Sequence, residues 1–243
     1  MGIGVIQLSL WFGVLVLQTG EKIGNLSFVH HRVNIRKVRV RNNRKVSDFS
    51  GLRVEETIPT SPWSKDLKLV PASSPTQLFY GSGSSPIGPI TLVWDQSGAL
   101  RFLGFDAGKR TLQNSFLQYP LAKFSPKTAA AQEKIAAILS LWLGTSKPSS
   151  PLALAVEGTD FQQSVWQVLL NIPKASVVNY ADVARAIDNP KAVRAVGNAV
   201  GSNPLPLLIP CHRVIQSNGS LANFAWGDEM KLTLLKHEAS GYS

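Results

Sequence analysis

The chain predicts an α+β fold: a small N-terminal antiparallel sheet with a helix, followed by a mostly helical C-terminal part that contains a helix-turn-helix. Three observations carry that expectation. Between Gln77 and Phe105 short apolar runs are separated by turn residues, from Ala129 apolar residues recur at helical spacing, and beyond Thr159 the pattern is one of helices joined by tight turns. With 243 residues, 44% of them apolar, there is material for a substantial core in one large domain or two small ones.

Taken in order, the first twenty residues, MGIGVIQLSLWFGVLVLQTG, contain no charged side chain. They lack the basic start and small-residue cleavage site of an export signal, and Gln7, Gln18 and Thr19 are more polar than a membrane span prefers. A buried strand or a wrongly assigned start is therefore favoured over membrane insertion. HHRVNIRKVRVRNNRK (residues 30–45) carries seven Lys/Arg and no acid. It reads as a solvated or disordered basic tail, with non-specific phosphate attraction as the sharper alternative. Residues 55–76 are rich in Ser, Pro and Thr and read as a linker. The resulting division is an unassigned leader (1–75), an α+β domain (76–151) and a helical domain (156–240).

In the second segment, LFYGSG and PITLVWDQSGALRFLGF, with a turn at Asp95-Gln96-Ser97-Gly98, predict a hairpin sheet. AAAQEKIAAILSLWLG predicts a helix over 129–144 that stops at Gly144, and KPSSP is a second connector. In the third segment Thr159 and Gln162 form a capping box, and Phe161, Val165 and Leu169 mark one buried stripe running up to Pro173. Tyr180 to Ala186 reads as a short helix and Ile187 to Asn189 as a turn. Pro190 then reads as the first residue of a second helix, KAVRAVGNAVG.

The formal charge of +10 invites a nucleic-acid reading, but its distribution limits it. Residues 1–75 hold eleven Lys/Arg against five Asp/Glu, residues 76–155 seven against three, and residues 156–243 seven against seven. Charge alone thus does not make the helix-turn-helix segment a DNA binder. A single cysteine excludes an intrachain disulfide and fits a reducing, cytoplasmic location. With four histidines, two of them tandem, no metal site of ordinary ligand spacing can be drawn.

Along the second helix of the pair, Ala192, Ala195, Ala199 and Ser202 recur at spacings of three or four, which leaves a strip with little side-chain bulk. Tight packing against the neighbouring helix would explain it. So would close approach to a narrow groove, with Val193, Val196 and Val200 facing the core and Arg194 beside the strip. Arg194 as a plain surface charge stays open.

The lone cysteine lies in PLLIPCHRVI. LPLLIP (205–210) is too short and too proline-flanked for a helix and predicts an extended segment that delivers Cys211 to a semi-buried position. A lone buried cysteine is commonly an inert small hydrophobe. Here the adjacent His212 can take the thiol proton, directly or through a water, leaving a nucleophilic thiolate. Glu238, at the end of an amphipathic helix with Met230, Leu234 and Leu235, is the carboxylate type suited to orient that histidine. A Cys-His-Glu relay would equally serve a thiol hydrolase.

IPCHRV, together with NYADVARAI, NPKAVRAVGNAVGSNP and NFAWG...K..LLKHE in the same order, resembles the O6-alkylguanine-DNA alkyltransferase family, the methylated-DNA:protein-cysteine methyltransferases. The resemblance runs from about Gly158 to Glu238. The segment from Gln77 to Pro151 fits the family's N-terminal domain, and residues 1–75 have no counterpart. The resemblance implies direct-reversal repair: one irreversible transfer of the alkyl group from O6-alkylguanine, and from O4-alkylthymine, in double-stranded DNA to Cys211. The modified base would be flipped out of the duplex. It further implies His212 as the water-linked base, Glu238 as the group holding it, and Tyr180 as proton donor to the departing guanine. Asn203 would brace the SNP turn, and Arg194 would replace the flipped base. Val214 and the stretch Ser217–Gly227, with Ser217, Asn218, Gly219, Ala222, Phe224 and Ala225, would form the guanine pocket. No metal, no cofactor and a monomeric protein are expected. With one cysteine, the chain lacks the metal-bound cysteine cluster of the family's larger bifunctional members. A non-catalytic damage-recognition protein is the competing reading, against which the intact PCHR stands.

Overall fold

The computed structural model describes residues 38–39, 45–46, 52–55, 57–58, 65–221 and 224–240. The uncharged first twenty residues, and with them the choice between strand and span, lie outside the described residues. Within the basic run, β1 (Val38–Arg39) pairs antiparallel with β2 (Lys45–Val46), so this stretch holds a short strand pair where a solvated tail was expected.

The expected linker is also more structured than its composition suggests. Before it, β3 (Arg53–Val54) is followed by β4 (Leu67–Leu69), and Leu67 is buried in the main core. Ser and Pro mark the connections here, but one buried leucine is enough to commit a short strand to a sheet.

β5 (Gln77–Gly83), β6 (Ile90–Asp95) and β7 (Leu100–Gly104) form the expected antiparallel meander. The Asp95–Gly98 turn closes because Asp95 Oδ1 accepts from the Ser97 and Ala99 amides at 2.9 and 3.2 Å, while Gly98 takes the left-handed φ of 86°. All six residues of β6 are buried, since both faces of the strand are covered. On one face lies the core under the helix of residues Thr128–Leu143; on the other, Leu78, Val93, Phe102 and Tyr119 form a separate cluster.

Between the meander and the next expected helix the chain forms two elements that the sequence did not predict, α1 (Lys109–Gln118) and β8 (Lys123–Pro126). α1 is polar on most of its length and its start is organised by Asp106. The Asp106 carboxylate accepts from the Gly108, Arg110 and Thr111 amides, so the capping acid lies outside the helix, and the residues α1 buries are the polar Thr111 and Ser115 while Phe116 and Leu117 stay exposed. α2 (Thr128–Leu143) buries Ala131, Ile135, Ile138 and Trp142 and ends where Gly144 adopts a left-handed φ of 77°, as the sequence predicts. β9 (Leu152–Leu154) then completes a six-stranded sheet of order β4-β9-β7-β6-β5-β8. Only β6 runs antiparallel to its neighbours, β7 and β5. β8 on β5, β9 on β7 and β4 on β9 are parallel, so the sheet is mixed rather than purely antiparallel.

α3 (Asp160–Leu169) opens with the predicted capping box and buries Val165, Trp166 and Leu169. It ends at Leu169, short of Pro173, as Asn171 and Ile172 donate back to Val168 and Leu169 in a tight turn. β10 (Ser176–Asn179) leads into α4 (Tyr180–Ala186), capped by Asn179. After a turn with Asp188 at φ 55°, α5 (Val193–Gly201) follows. Pro190 lies in the turn before α5 and not at its first position; Ala192 is the residue that caps it. β11 (Val214–Ile215) pairs parallel with β10, whose other edge takes β3, and α6 (Asp228–Ala239) closes the chain. Among the described residues no helix is long and apolar enough to cross a membrane.

One hydrophobic core runs through the segments expected as two domains. Trp94 and Leu103 from the sheet, Trp142 from α2, Trp166 from α3, Ile209, Cys211 and Leu234 belong to the same cluster. The Leu103 amide donates to Pro204 O at 2.9 Å, tying the sheet to the loop that carries the cysteine. The sheet and α2 meet closely at Gly81, where a Cβ would fall 2.6 Å from Ala131 Cβ and 3.1 Å from Lys127 O. Gly81→Val is expected to cost about 1–3 kcal/mol by overpacking, seen as a lower urea midpoint at unchanged slope.

Candidate active site

The loop between α5 and Cys211 is not the extended segment that LPLLIP suggests. Leu205 to Pro210 turns back on itself: Ile209 N–H donates to Leu205 O at 2.9 Å, and Leu207 is held at φ 77°. A leucine in the left-handed region costs about 1–3 kcal/mol and persists only where the surroundings over-determine it. Here burial of every residue from Leu205 to Ile215 supplies that constraint. Asn203 is the brace at its start: its Nδ2 donates to Ile209 O at 2.8 Å, and its Oδ1 accepts from the Leu205 amide at 3.0 Å.

Cys211 opens a single 3-10 turn, Cys211–Arg213, and is 5% exposed. Burial pushes its thiol above the ordinary value, while a hydrogen bond from Asn203 and the charge of Lys231 pull the other way. The resting group is a protonated thiol that needs a base.

That base adjoins it. His212 is fully buried and its Nε2 lies 2.9 Å from Glu238 Oε1. An ionised carboxylate only accepts, so Nε2 carries the hydrogen and Nδ1 is left as the lone-pair nitrogen. Nδ1 is the one buried side-chain polar atom without a hydrogen-bond partner among the described residues. Burial lowers the His212 pKa, the attraction of Glu238 opposes this, and Arg213 and Lys231 lower it further. The imidazole is thus neutral near pH 7 and able to accept a proton.

Glu238 is the hub. Its carboxylate accepts from Trp142 Nε1 at 2.9 Å, Arg213 Nε at 3.0 Å, Arg213 Nη2 at 2.7 Å and the Ala175 amide at 3.3 Å, besides His212. Burial alone would raise its pKa, but Arg213 and His212 hold it far below the usual carboxylate range. Arg213 is itself anchored by Nη1 to Ile172 O at 2.6 Å.

Lys231, which the sequence reading left without a role, is also fully buried. Its ammonium donates to the Val214 and Leu221 carbonyls, and burial lowers its pKa to about 8 against the pull of Cys211 and Asp228. The signal was present: Lys231 stands seven residues before Glu238, hence on the same face of α6, between apolar neighbours.

Cys211, Tyr180, Asn203, Lys231, Phe224, Ala225 and Trp226 line one cavity of about 20 Å³, room for a single water. Burial first, and the neighbouring Cys211 second, push the Tyr180 hydroxyl up to about 12, so it remains a donor. Trp226 falls within the expected stretch Ser217–Gly227, although it is not among the residues singled out there. Its ring fills the slot left by Gly104, packs edge-on to Phe105 at 5.9 Å, and lies 4.6 Å under the Arg110 guanidinium.

Of the expected pocket residues, Phe224 and Ala225 line this cavity. Val214, Ser217, Asn218 and Gly219 do not. Val214 is buried and offers its carbonyl to Lys231, and residues 217–219 belong to a turn closed by Gln216 and Ser220, with Gly219 at φ 80°. Ala222 lies outside the described residues.

On α5, Arg194, Ala195 and Ser202 are exposed, Ala192 is half-buried, and Ala199 is buried with its carbonyl accepting from Trp166 Nε1 at 2.9 Å. Ala199 is therefore a packing residue, and Val193, expected in the core, is 38% exposed. The phase of the helix accounts for both, because Val196, Ala199 and Val200 share its inner face. The low-bulk outer surface is made by Ala195, Gly201 and Ser202; Cβ atoms at Gly197 and Gly201 would meet nothing within 4 Å.

Comparison with known proteins agrees with this arrangement. Residues 160–240 match the family model "6-O-methylguanine DNA methyltransferase, DNA binding domain". A methylated-DNA–protein-cysteine methyltransferase of Methanosarcina acetivorans is 39% identical over 163 residues, 67% of this chain and 99% of that protein. The constitutive enzyme of Bacillus subtilis is 36% identical, covering 68% and 97%. Among solved structures, the Mycobacterium tuberculosis O6-methylguanine methyltransferase matches with a TM-score of 0.57 at 32% identity, over 68% of this chain and 95% of that one. The chain belongs to the methylated-DNA–protein-cysteine methyltransferase family.

Replacing Glu238 by Gln removes the carboxylate that pairs with Arg213 and His212 and is expected to cost about 3–5 kcal/mol at pH 7. A carboxylate with a depressed folded pKa stabilises above its unfolded value of about 4.3 and loses that contribution as pH falls toward the folded one. The urea-measured gap between wild type and variant should therefore narrow below about pH 4.

Proposed function

We propose that Cys211 is the acceptor in a direct-reversal repair reaction that takes the alkyl group from O6-alkylguanine, and from O4-alkylthymine, in double-stranded DNA. Alkyl transfer to a cysteine is the activity of the family to which the chain belongs. A solved M. tuberculosis OGT in complex with DNA, 33% identical with a TM-score of 0.54, supports DNA as the partner. The observation that carries the assignment of roles is the cavity that Cys211 shares with Tyr180 beside α5, with the His212–Glu238 pair next to the cysteine in the chain.

The sulfur attacks the alkyl carbon; the S–C bond forms as the C–O6 bond breaks, and the electron pair leaves with guanine. The thiol proton passes through a water to His212 Nδ1, whose positive charge Glu238 balances. Tyr180 gives its proton to the departing guanine, and exchange with solvent restores both groups. The thioether has no hydrolytic exit, so each molecule acts once. The transfer consumes only thiol and alkyl donor, calling for no cofactor or metal, and all its groups come from one chain, as suits a monomer.

A cavity of about 20 Å³ admits no purine. Base entry therefore requires the Phe224–Trp226 wall to draw back. Outside the cavity, α5 lays its low-bulk surface against the minor groove and Arg194 takes the place of the flipped base. In this reading residues 76–151 support the chemistry and residues 156–240 perform it. A reducing, cytoplasmic setting suits a lone catalytic thiol.

Incubation with an O6-methylguanine duplex should add one methyl to the Cys211 peptide, read by intact mass and peptide mapping. Cys211→Ala should abolish the gain and leave duplex affinity within about twofold, since phosphate and groove contacts hold the DNA. Equal loss of binding would make the cysteine structural. Arg194→Ala should slow repair of duplex more than of single-stranded substrate, where unstacking costs least; equal slowing on both would remove Arg194 from base flipping.

A further inference from the structure

β3 is two residues long, yet it is fixed tightly to β10. Arg53 N–H donates to Ala175 O at 2.7 Å, Glu55 N–H to Val177 O at 3.0 Å, and Ser176 Oγ to Glu55 Oε1 at 3.1 Å. Leu52 is 2% exposed and packs with Val177, Ile215, Leu221 and Leu235, a cluster separate from the main core. Leu235 lies on α6 between Lys231 and Glu238, the two residues this helix sends to the Cys211 centre.

Ala175 joins the two ends of this arrangement. It is a non-glycine residue at φ 56°, a conformation that survives only where the surroundings fix it. Arg53 N–H holds its carbonyl, and Glu238 Oε2 accepts from its own N–H at 3.3 Å. The strand is thus one peptide removed from the carboxylate that orients His212.

We propose that Leu52–Glu55 is a positioning clip for the Cys211 centre: by fixing Ala175 and seating α6 through Leu235, it holds Glu238, and through Glu238 His212, in the geometry for proton transfer. The clip rests on the alkyl-transfer reading and assigns a part in it to a segment for which the sequence offered no counterpart.

Three variants of the full chain test it. Arg53→Pro deletes the amide that donates to Ala175. Leu52→Ala removes the packing on Leu235. Arg53→Ala keeps the amide and removes a side chain that is 59% exposed and lies 3.9 Å from Glu55 Oε1, a surface pair of little worth. Each is measured well below its melting transition for single-turnover methyl transfer from an O6-methylguanine duplex, for duplex Kd, and for the pH midpoint of Cys211 alkylation by iodoacetamide.

Arg53→Pro and Leu52→Ala should slow transfer about tenfold with Kd within about twofold, because misplacing a catalytic group costs rate rather than ground-state binding. The alkylation midpoint should move upward, since an unanchored His212 is a weaker base for the thiol. Arg53→Ala should retain the wild-type values. A lowered melting temperature with unchanged rate and midpoint, or an Arg53→Ala as slow as Arg53→Pro, would overturn the clip. Absence of methyl transfer by the wild-type chain would instead bring down the functional reading, which separates the two failures.

Discussion

A single buried carboxylate, that of Glu238, sets the terms for the rest of the molecule. Arg213 and His212 are removed from water beside it, and a guanidinium buried without an anion would be untenable. The donors that meet Glu238, itself on α6, come from three other places in the chain: Trp142 from α2, Ala175 from the residue before β10, His212 and Arg213 from the 3-10 turn. The carboxylate thereby fixes how four parts of the chain meet. The imidazole tautomer follows from the same contact, because the nitrogen facing Glu238 must carry the hydrogen and the other is left free to act.

The neighbouring cations complete the electrostatics. Burial foremost, and after it Arg213 and Lys231, disfavour a charged His212, and Lys231 also favours the thiolate. Neither cation touches the histidine in a bond that would occupy Nδ1. The arrangement holds a protonated thiol and an unprotonated base side by side until an alkyl donor arrives, which suits a protein whose reactive group is spent on first use.

Much of this was legible in the sequence, for reasons that particular residues make plain. The capping box at Thr159, the stop at Gly144 and the Asp95–Gly98 turn are local signals whose hydrogen bonds form within a few residues, and they stand as predicted. The relay was also legible as chemistry, since His212 adjoins Cys211 and Glu238 is a carboxylate on a helix. Less legible was whatever depends on distant partners. α1 takes its start from an acid outside it, β3 and β4 belong to sheets whose other strands lie far along the chain, and Leu207 is driven by burial out of the extended form its neighbours favour. Helical phase decides the strip of small residues, which suits packing or a groove equally in the sequence: Ala199 packs beneath Trp166, while Ala195 stays outside.

The glycines of α5 carry a consequence of another kind. Gly197 and Gly201 border open space, so nothing in the fold demands them, and each leaves the helix less stable than alanine would. A selection for heat resistance alone would be free to fill both positions. It would thicken the surface that the proposed reading lays against DNA, trading recognition in that reading for durability, while the added Cβ atoms meet nothing within 4 Å.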